Sequence, residues 1–181
     1  MGDNITKKKL KILGTVIAIL LCFPVHFIYG MFPNFITSIF FPVNESIWEH
    51  MKIFFTCIMI SSVIQKIIMF KTNNDITNIC FSNFIGAILS IPIFLLMFLP
   101  IYYFIGENFI VTIFLMIITI IIVEIISYKL MLKKDFKMEN KTILFVIFVY
   151  VIFGLLTYFP PQYDLFIDSQ RCFSLNNSWF I

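Results

Sequence analysis

Five stretches of this chain, about residues 10–31, 47–70, 79–104, 109–132 and 141–160, are each close to twenty or more residues of mainly apolar side chains. That is the length at which a helix crosses a hydrocarbon layer ~30 Å thick. Backbone inside lipid must satisfy its own N–H and C=O groups, which leaves only helices and closed barrels as spanning structures. The stretches show no period-two alternation, so they read as helices and not as barrel strands. The expected fold is therefore all-α: a polytopic transmembrane helix bundle with five spans. Composition agrees, at 60% hydrophobic and 13% charged residues with a mean hydropathy of +0.98, against roughly 45–50% apolar in an average soluble domain. No internal repeat, heptad pattern or low-complexity linker divides the chain. Residues 1–181 read as a single integral membrane domain, with 162–181 as a tail.

The first stretch follows Lys7, Lys8, Lys9 and Lys11, the order of a signal peptide. It is too long for one and lacks a small-residue cleavage site, so it reads as a retained anchor. Positive charges gather in short cytoplasmic connections. The basic segments are the N-terminus, residues 66–71 and Lys129 to Lys141, and with five spans they fall on one side. The N-terminus is then inside and the C-terminus outside. The outer side holds Glu45, Glu49, Glu107, Asp164 and Asp168, with Lys52 and Arg171 as its cations. Residues 32–43 are too apolar for a solvated loop and too short to cross, which predicts a re-entrant or interfacial segment. Pro160 and Pro161 end the fifth span after Tyr158, because an interior proline removes a hydrogen bond and clashes with the preceding turn.

Residues 42–52, Pro-Val-Asn-Glu-Ser-Ile-Trp-Glu-His-Met-Lys, concentrate polar chemistry at the mouth of the second span. Asn44 suits an N-cap, and acidic residues in a first turn suit the positive end of the helix dipole. The helix is then expected to begin near Glu45. Glu45, Glu49 and Lys52 would share one face, with His50 turned about 100° from Glu49, and Trp48 would sit at headgroup level. His26 ends the first span on the same side. Together with Asp164 and Asp168 these side chains can converge on one outward-facing pocket. The plain alternative is that they are separate features: a cap, an i,i+3 ion pair and an interfacial anchor.

This block, with His26-Phe-Ile-Tyr29 before it and Thr157-Tyr-Phe-Pro-Pro161 and Leu165-Phe-Ile-Asp168 far downstream, resembles an uncharacterised family of small bacterial multi-pass membrane proteins. The resemblance implies a place in the bacterial cytoplasmic (inner) membrane. It groups His26, the 42–52 signature and Asp168, and it implies no activity. After Asp168 the chain reads Ser-Gln-Arg-Cys-Phe-Ser, which departs from the family's pattern.

Two function classes follow. In the first, the pocket is a metal-dependent or acid–base hydrolase-like site acting on a lipid or lipid-linked substrate. Catalytic zinc takes about three His, Asp or Glu ligands and leaves a position for water. His26, His50 and Asp168 are the expected ligands, Glu45 or Glu49 the base, and Lys52 the group that stabilises developing negative charge. No His-Glu-x-x-His spacing occurs, and a metal-free Glu45–Glu49 pair is an equal reading. In the second class the cluster binds a solute or cation for transport, sensing or immunity, alone or as a subunit of a larger membrane complex, with Glu124 as a deeper stop. Glu124 would be neutralised by Lys66 or Gln65, or paired structurally with Lys66 or Tyr128. Gly86, Ala87 and Ser90 form a small-residue patch suited to close helix packing.

The other motifs exclude more than they suggest. Cys22 and Cys57 can meet only if their helices adjoin, Cys80 lies beside a span, and Cys172 is in the tail; none has metal or redox spacing. Asn-x-Ser/Thr triplets at Asn44, Asn140 and Asn176 carry no weight in a bacterial chain. There is no phosphate loop, dinucleotide fingerprint or nucleophile elbow. The Lys-rich ends suit anionic lipid and not nucleic acid.

Overall fold

The computed structural model describes residues 2–74, 77–106 and 108–168. Glu107, Arg171, Cys172 and Asn176 lie outside the described residues. The described residues form helices α1 (Gly2–Met31), α2 (Phe35–Phe40), α3 (Ile47–Lys71), α4 (Ile79–Ile105), α5 (Phe109–Met131) and α6 (Thr142–Tyr158), followed by a 3₁₀ turn at Asp164–Phe166. Four of them, Thr6–Met31 within α1, α3, α4 and α5, are 23 to 27 residues long and apolar enough to cross a membrane. The helix α6, at 17 residues, is apolar but shorter than these.

The bundle is inside-out by the standard of a soluble protein. Leu20, Phe27, Leu96, Phe104, Phe109 and Ile110 are exposed, while Lys11, Glu49, Lys52, Gln65, Asn83 and Glu124 are buried. Lipid solvates apolar side chains well and polar ones badly, so polar groups turn inward where other helices can pair them. Packing centres on α3, which lies against α1 and α4; α5 closes the ring against α4 and α1. The span of α3 is 61% buried, the most of the four. Gly86 lets α4 approach α5 closely: a Cβ there would lie 3.3 Å from Val123 O and 3.4 Å from Ser127 Cβ. The small-residue patch is thus used within the chain.

Contacts define two ends. At one end are the start of α1, the end of α3, the start of α4 and the end of α5, joined through Lys11, Gln65, Asn83 and Glu124. At the other end are the finish of α1, the start of α3 and the finish of α6. The helix α6 runs from the first end to the second. Its preceding loop is tied to the first, where Glu139 accepts the N–H groups of Cys80 (3.0 Å) and Phe81 (3.2 Å) at the start of α4 and pairs with Lys66 at 3.3 Å. Lys66 is therefore not the partner of Glu124.

The expected re-entrant or interfacial segment 32–43 contains the short helix α2, which packs on α6. Asn34 and Thr37 form a reciprocal capping box at its start, satisfying donors that a helix start leaves open. Phe35 and Ile36 face outward and Ser38 is buried.

Candidate functional site

The turn into α3 sets the geometry of the site. Ser46, not Asn44, is the N-cap: its Oγ accepts the Glu49 N–H at 3.3 Å. Asn44 Oδ1 instead accepts the Ser46 N–H at 3.0 Å, closing a turn of its own. The helix therefore starts at Ile47, two residues later than expected, and Glu45 lies in the extended approach to it. Freed from the helical spiral, Glu45 does not share a face with Glu49 and Lys52. It turns toward the two histidines.

Glu45 Oε1 is 3.5 Å from His26 Nε2, and Glu45 Oε2 is 3.4 Å from His50 Nε2. The two imidazole rings are 5.2 Å apart between centroids. One ligand atom from each of His26, Glu45 and His50 falls within 4.8 Å of the others. The His50 ring is oriented from behind, with Nδ1 2.9 Å from Ser46 O. A carbonyl only accepts, so Nδ1 carries the proton, and in the neutral ring Nε2 keeps its lone pair facing Glu45 and His26. Beside these groups opens a cleft of about 280 Å³, lined by His26, Phe27, Tyr29, Gly30, Pro42 and Glu45 among others.

Glu49 and Lys52 form a different site. Lys52 is fully buried, with Nζ 2.7 Å from Glu49 Oε2, and it also donates to Ser38 O at 2.8 Å and to Thr157 Oγ1. Glu49 accepts the Thr157 hydroxyl at 2.9 Å and the Val43 N–H at 3.0 Å. One buried pair thus ties α2, the 42–46 approach, α3 and the end of α6 together. Its charges are spent on the protein itself.

Asp164 is exposed at the start of the 3₁₀ turn. Asp168 is half-buried and is not one of the three residues, His26, Glu45 and His50, whose ligand atoms lie within 4.8 Å of one another. Trp48 packs on Phe153 and Phe166, with ring centroids 5.8 and 5.1 Å away. Tyr158 hydrogen-bonds Ser38 Oγ at 2.8 Å. Cys22 and Cys57 do meet across the α1–α3 seam as free, buried thiols.

At the opposite end Glu124 pairs with Lys11, with Oε2 2.6 Å from Nζ; it pairs with neither Lys66, Gln65 nor Tyr128. The Lys11 ammonium also donates to Ser127 Oγ at 2.8 Å and to Asn83 Oδ1, and Asn83 Nδ2 reaches Gln65 Oε1 at 3.4 Å. Glu124 Oε1 is buried without a hydrogen-bond partner among the described residues. The cation that sits at Glu124 is the chain's own lysine. Lys11 stands one residue inside its apolar run and Glu124 about two turns inside the end of α5; two opposite charges placed within apolar runs at the same end of the bundle are the signal that could have paired them from sequence.

The fold and the cluster define a class: an all-helical protein with the make-up of a multi-pass membrane protein, carrying a two-histidine, one-carboxylate group at one end. The chain belongs to the family of unknown function DUF6512, which matches residues 2–172. No curated protein and no solved structure matches it.

Proposed function

We propose that His26, Glu45 and His50 bind one divalent transition metal of the zinc class, and that this centre hydrolyses a lipid or lipid-linked substrate admitted through the adjoining cleft. The observation that carries the reading is spacing. Metal–ligand bonds of about 2.0–2.2 Å put neighbouring ligands of a tetrahedron roughly 3.3–3.6 Å apart. The His–Glu separations of 3.5 and 3.4 Å, one to each carboxylate oxygen, are close to that edge and exceed the usual ~2.7–3.2 Å of a hydrogen bond, and one ligand atom from each residue lies within 4.8 Å of the others, so a small closure of the group would seat an ion. The Ser46 carbonyl behind His50 is the second support, because ligating histidines usually donate their other N–H to such a group.

His26, Glu45 and His50 would supply three protein ligands, and two of them, His26 and Glu45, also line the cleft. When bound, such an ion would supply Lewis acidity and a water made acidic enough to attack a substrate carbonyl near neutral pH. His26 and His50 hold the centre, Glu45 reduces its charge, and Glu49 with Lys52 position the 42–46 approach and do not serve as base and charge stabiliser. In the membrane, α6 acts as the fifth span. The lysines at 7–9, 66, 71 and 129–141 mark the cytoplasmic end, and the cleft opens on the far side of the inner membrane.

Elemental analysis of protein purified in detergent and dialysed against zinc tests this. One zinc per chain is expected, with affinity lowered at least about 100-fold in His50→Ala, more than the ~10–100-fold of losing an outer-shell partner. Asp164→Asn should bind as the parent does. A parent protein that takes up no metal ends the reading.

A further inference from the structure

The cleft has an apolar approach as well as a polar floor. Phe23, Phe27 and Met31 recur every four residues on α1 and are 47%, 60% and 67% exposed. They form one stripe about 12 Å long on the helix surface. Its last two members line the cleft with His26 and Glu45. The stripe therefore does not stop at the cleft: it continues into the wall beside the metal-ligating candidates.

Gly30 lies in the same wall, and a Cβ built there meets nothing within 4 Å. On that side the cleft is open at the width of a side chain. Tyr29 and Asn44 also line it; Asn44 spends its carbonyl oxygen on Ser46, so its amide N–H₂ group is the part left to donate.

Resting on the metal reading above, we infer that the cleft takes an acyl lipid whose chain lies along Phe23, Phe27 and Met31 and whose ester or amide carbonyl, the first polar group after the chain, reaches the His26–Glu45–His50 centre. The depth of the parts decides the group. Phe27 is the neighbour of His26 in sequence and packs against its ring at 4.8 Å between centroids. Apolar wall and ligand are thus at one level, and no spacer separates chain from reacting atom. A phosphate held further from the chain by a glycerol unit would overshoot the centre. The hydroxyl of Tyr29 and the amide of Asn44 are neutral donors suited to a carbonyl oxygen.

The test uses full-length protein in phosphatidylcholine nanodiscs, loaded with Co²⁺, whose visible absorption reports its ligands. Decanoyl hydroxamate, a chain-bearing carbonyl chelator, is titrated against acetohydroxamate and decyl phosphate. The expected result is a spectral change at a concentration at least tenfold lower for decanoyl hydroxamate than for either comparison probe. Gly30→Leu, whose Cβ enters open space in the cleft wall, should keep the Co²⁺ spectrum and lose at least tenfold in response to decanoyl hydroxamate. Partition of the probe into the bilayer is the same for both proteins, so their difference reports the cleft. A parent protein without a Co²⁺ spectrum overturns the metal reading and this inference with it. A normal spectrum with equal response to the probes, a preference for decyl phosphate, or an indifferent Gly30→Leu overturns the inference alone.

Discussion

Glu49→Ala is expected to lower stability by about 3–5 kcal/mol, the penalty for leaving a buried charge without its partner. Lys52 is fully enclosed and keeps only the neutral acceptors Ser38 O and Thr157 Oγ1 once the carboxylate is gone. The Val43 N–H and the Thr157 hydroxyl lose their acceptor in the same step. Because Val43 lies two residues before Glu45, the change should also loosen the histidine–carboxylate group and weaken zinc binding by about 10–100-fold, the range of an outer-shell partner. Stability is measured by heating detergent-solubilised protein with a thiol-reactive dye, since Cys22 and Cys57 are buried and report opening of the α1–α3 seam. A loss below about 1 kcal/mol, the range of an exposed pair, would show that this network does not hold the bundle end together.

The second large effect belongs to the opposite end. Glu124→Ala strands Lys11, which is 4% exposed, and Lys11→Met strands Glu124, which is 3% exposed. Each single change is expected to cost about 3–5 kcal/mol. The double variant Lys11→Met/Glu124→Met removes both charges and fills similar volume, and it should recover most of the loss, because a buried ion pair exchanged whole for apolar side chains is often neutral or stabilising. A double-mutant cycle in the same thermal assay decides the matter. Additive single effects would mean that the two groups are not coupled, and that the polar cluster around Asn83, Ser127 and Gln65 carries the charge of each separately.

Much of the bundle was legible before any coordinates. Apolar runs of helical length can satisfy their backbones in few ways, so the expected spans agree with the four long helices to within a few residues at most ends. The prolines after Tyr158 end α6 where the sequence placed its end. The errors were smaller in residue count and larger in consequence. Asn44 and Ser46 are both good caps, and choosing between them moved Glu45 from a helix face to the approach before it. That shift of two residues separates the histidine–carboxylate group from the Glu49–Lys52 pair, which sequence alone merged into one pocket. Lys11 reads with Lys7, Lys8 and Lys9 as one of the lysines that precede the first span, yet its ammonium is buried against Glu124.

Composition and the length of the apolar runs decided that this chain forms helices long and apolar enough to cross a membrane, since lipid offers backbone polar groups no other partner and the requirement is local to each run. Which polar side chains meet was settled only by the tertiary structure. His26 and Glu45, Lys52 and Thr157, and Lys11 and Glu124 lie on different segments, and their pairing depends on how helices rotate and on which hydroxyl caps a turn. Those choices are made by packing across the whole bundle, where a buried charge must find a partner and the nearest one in space is seldom the nearest in sequence.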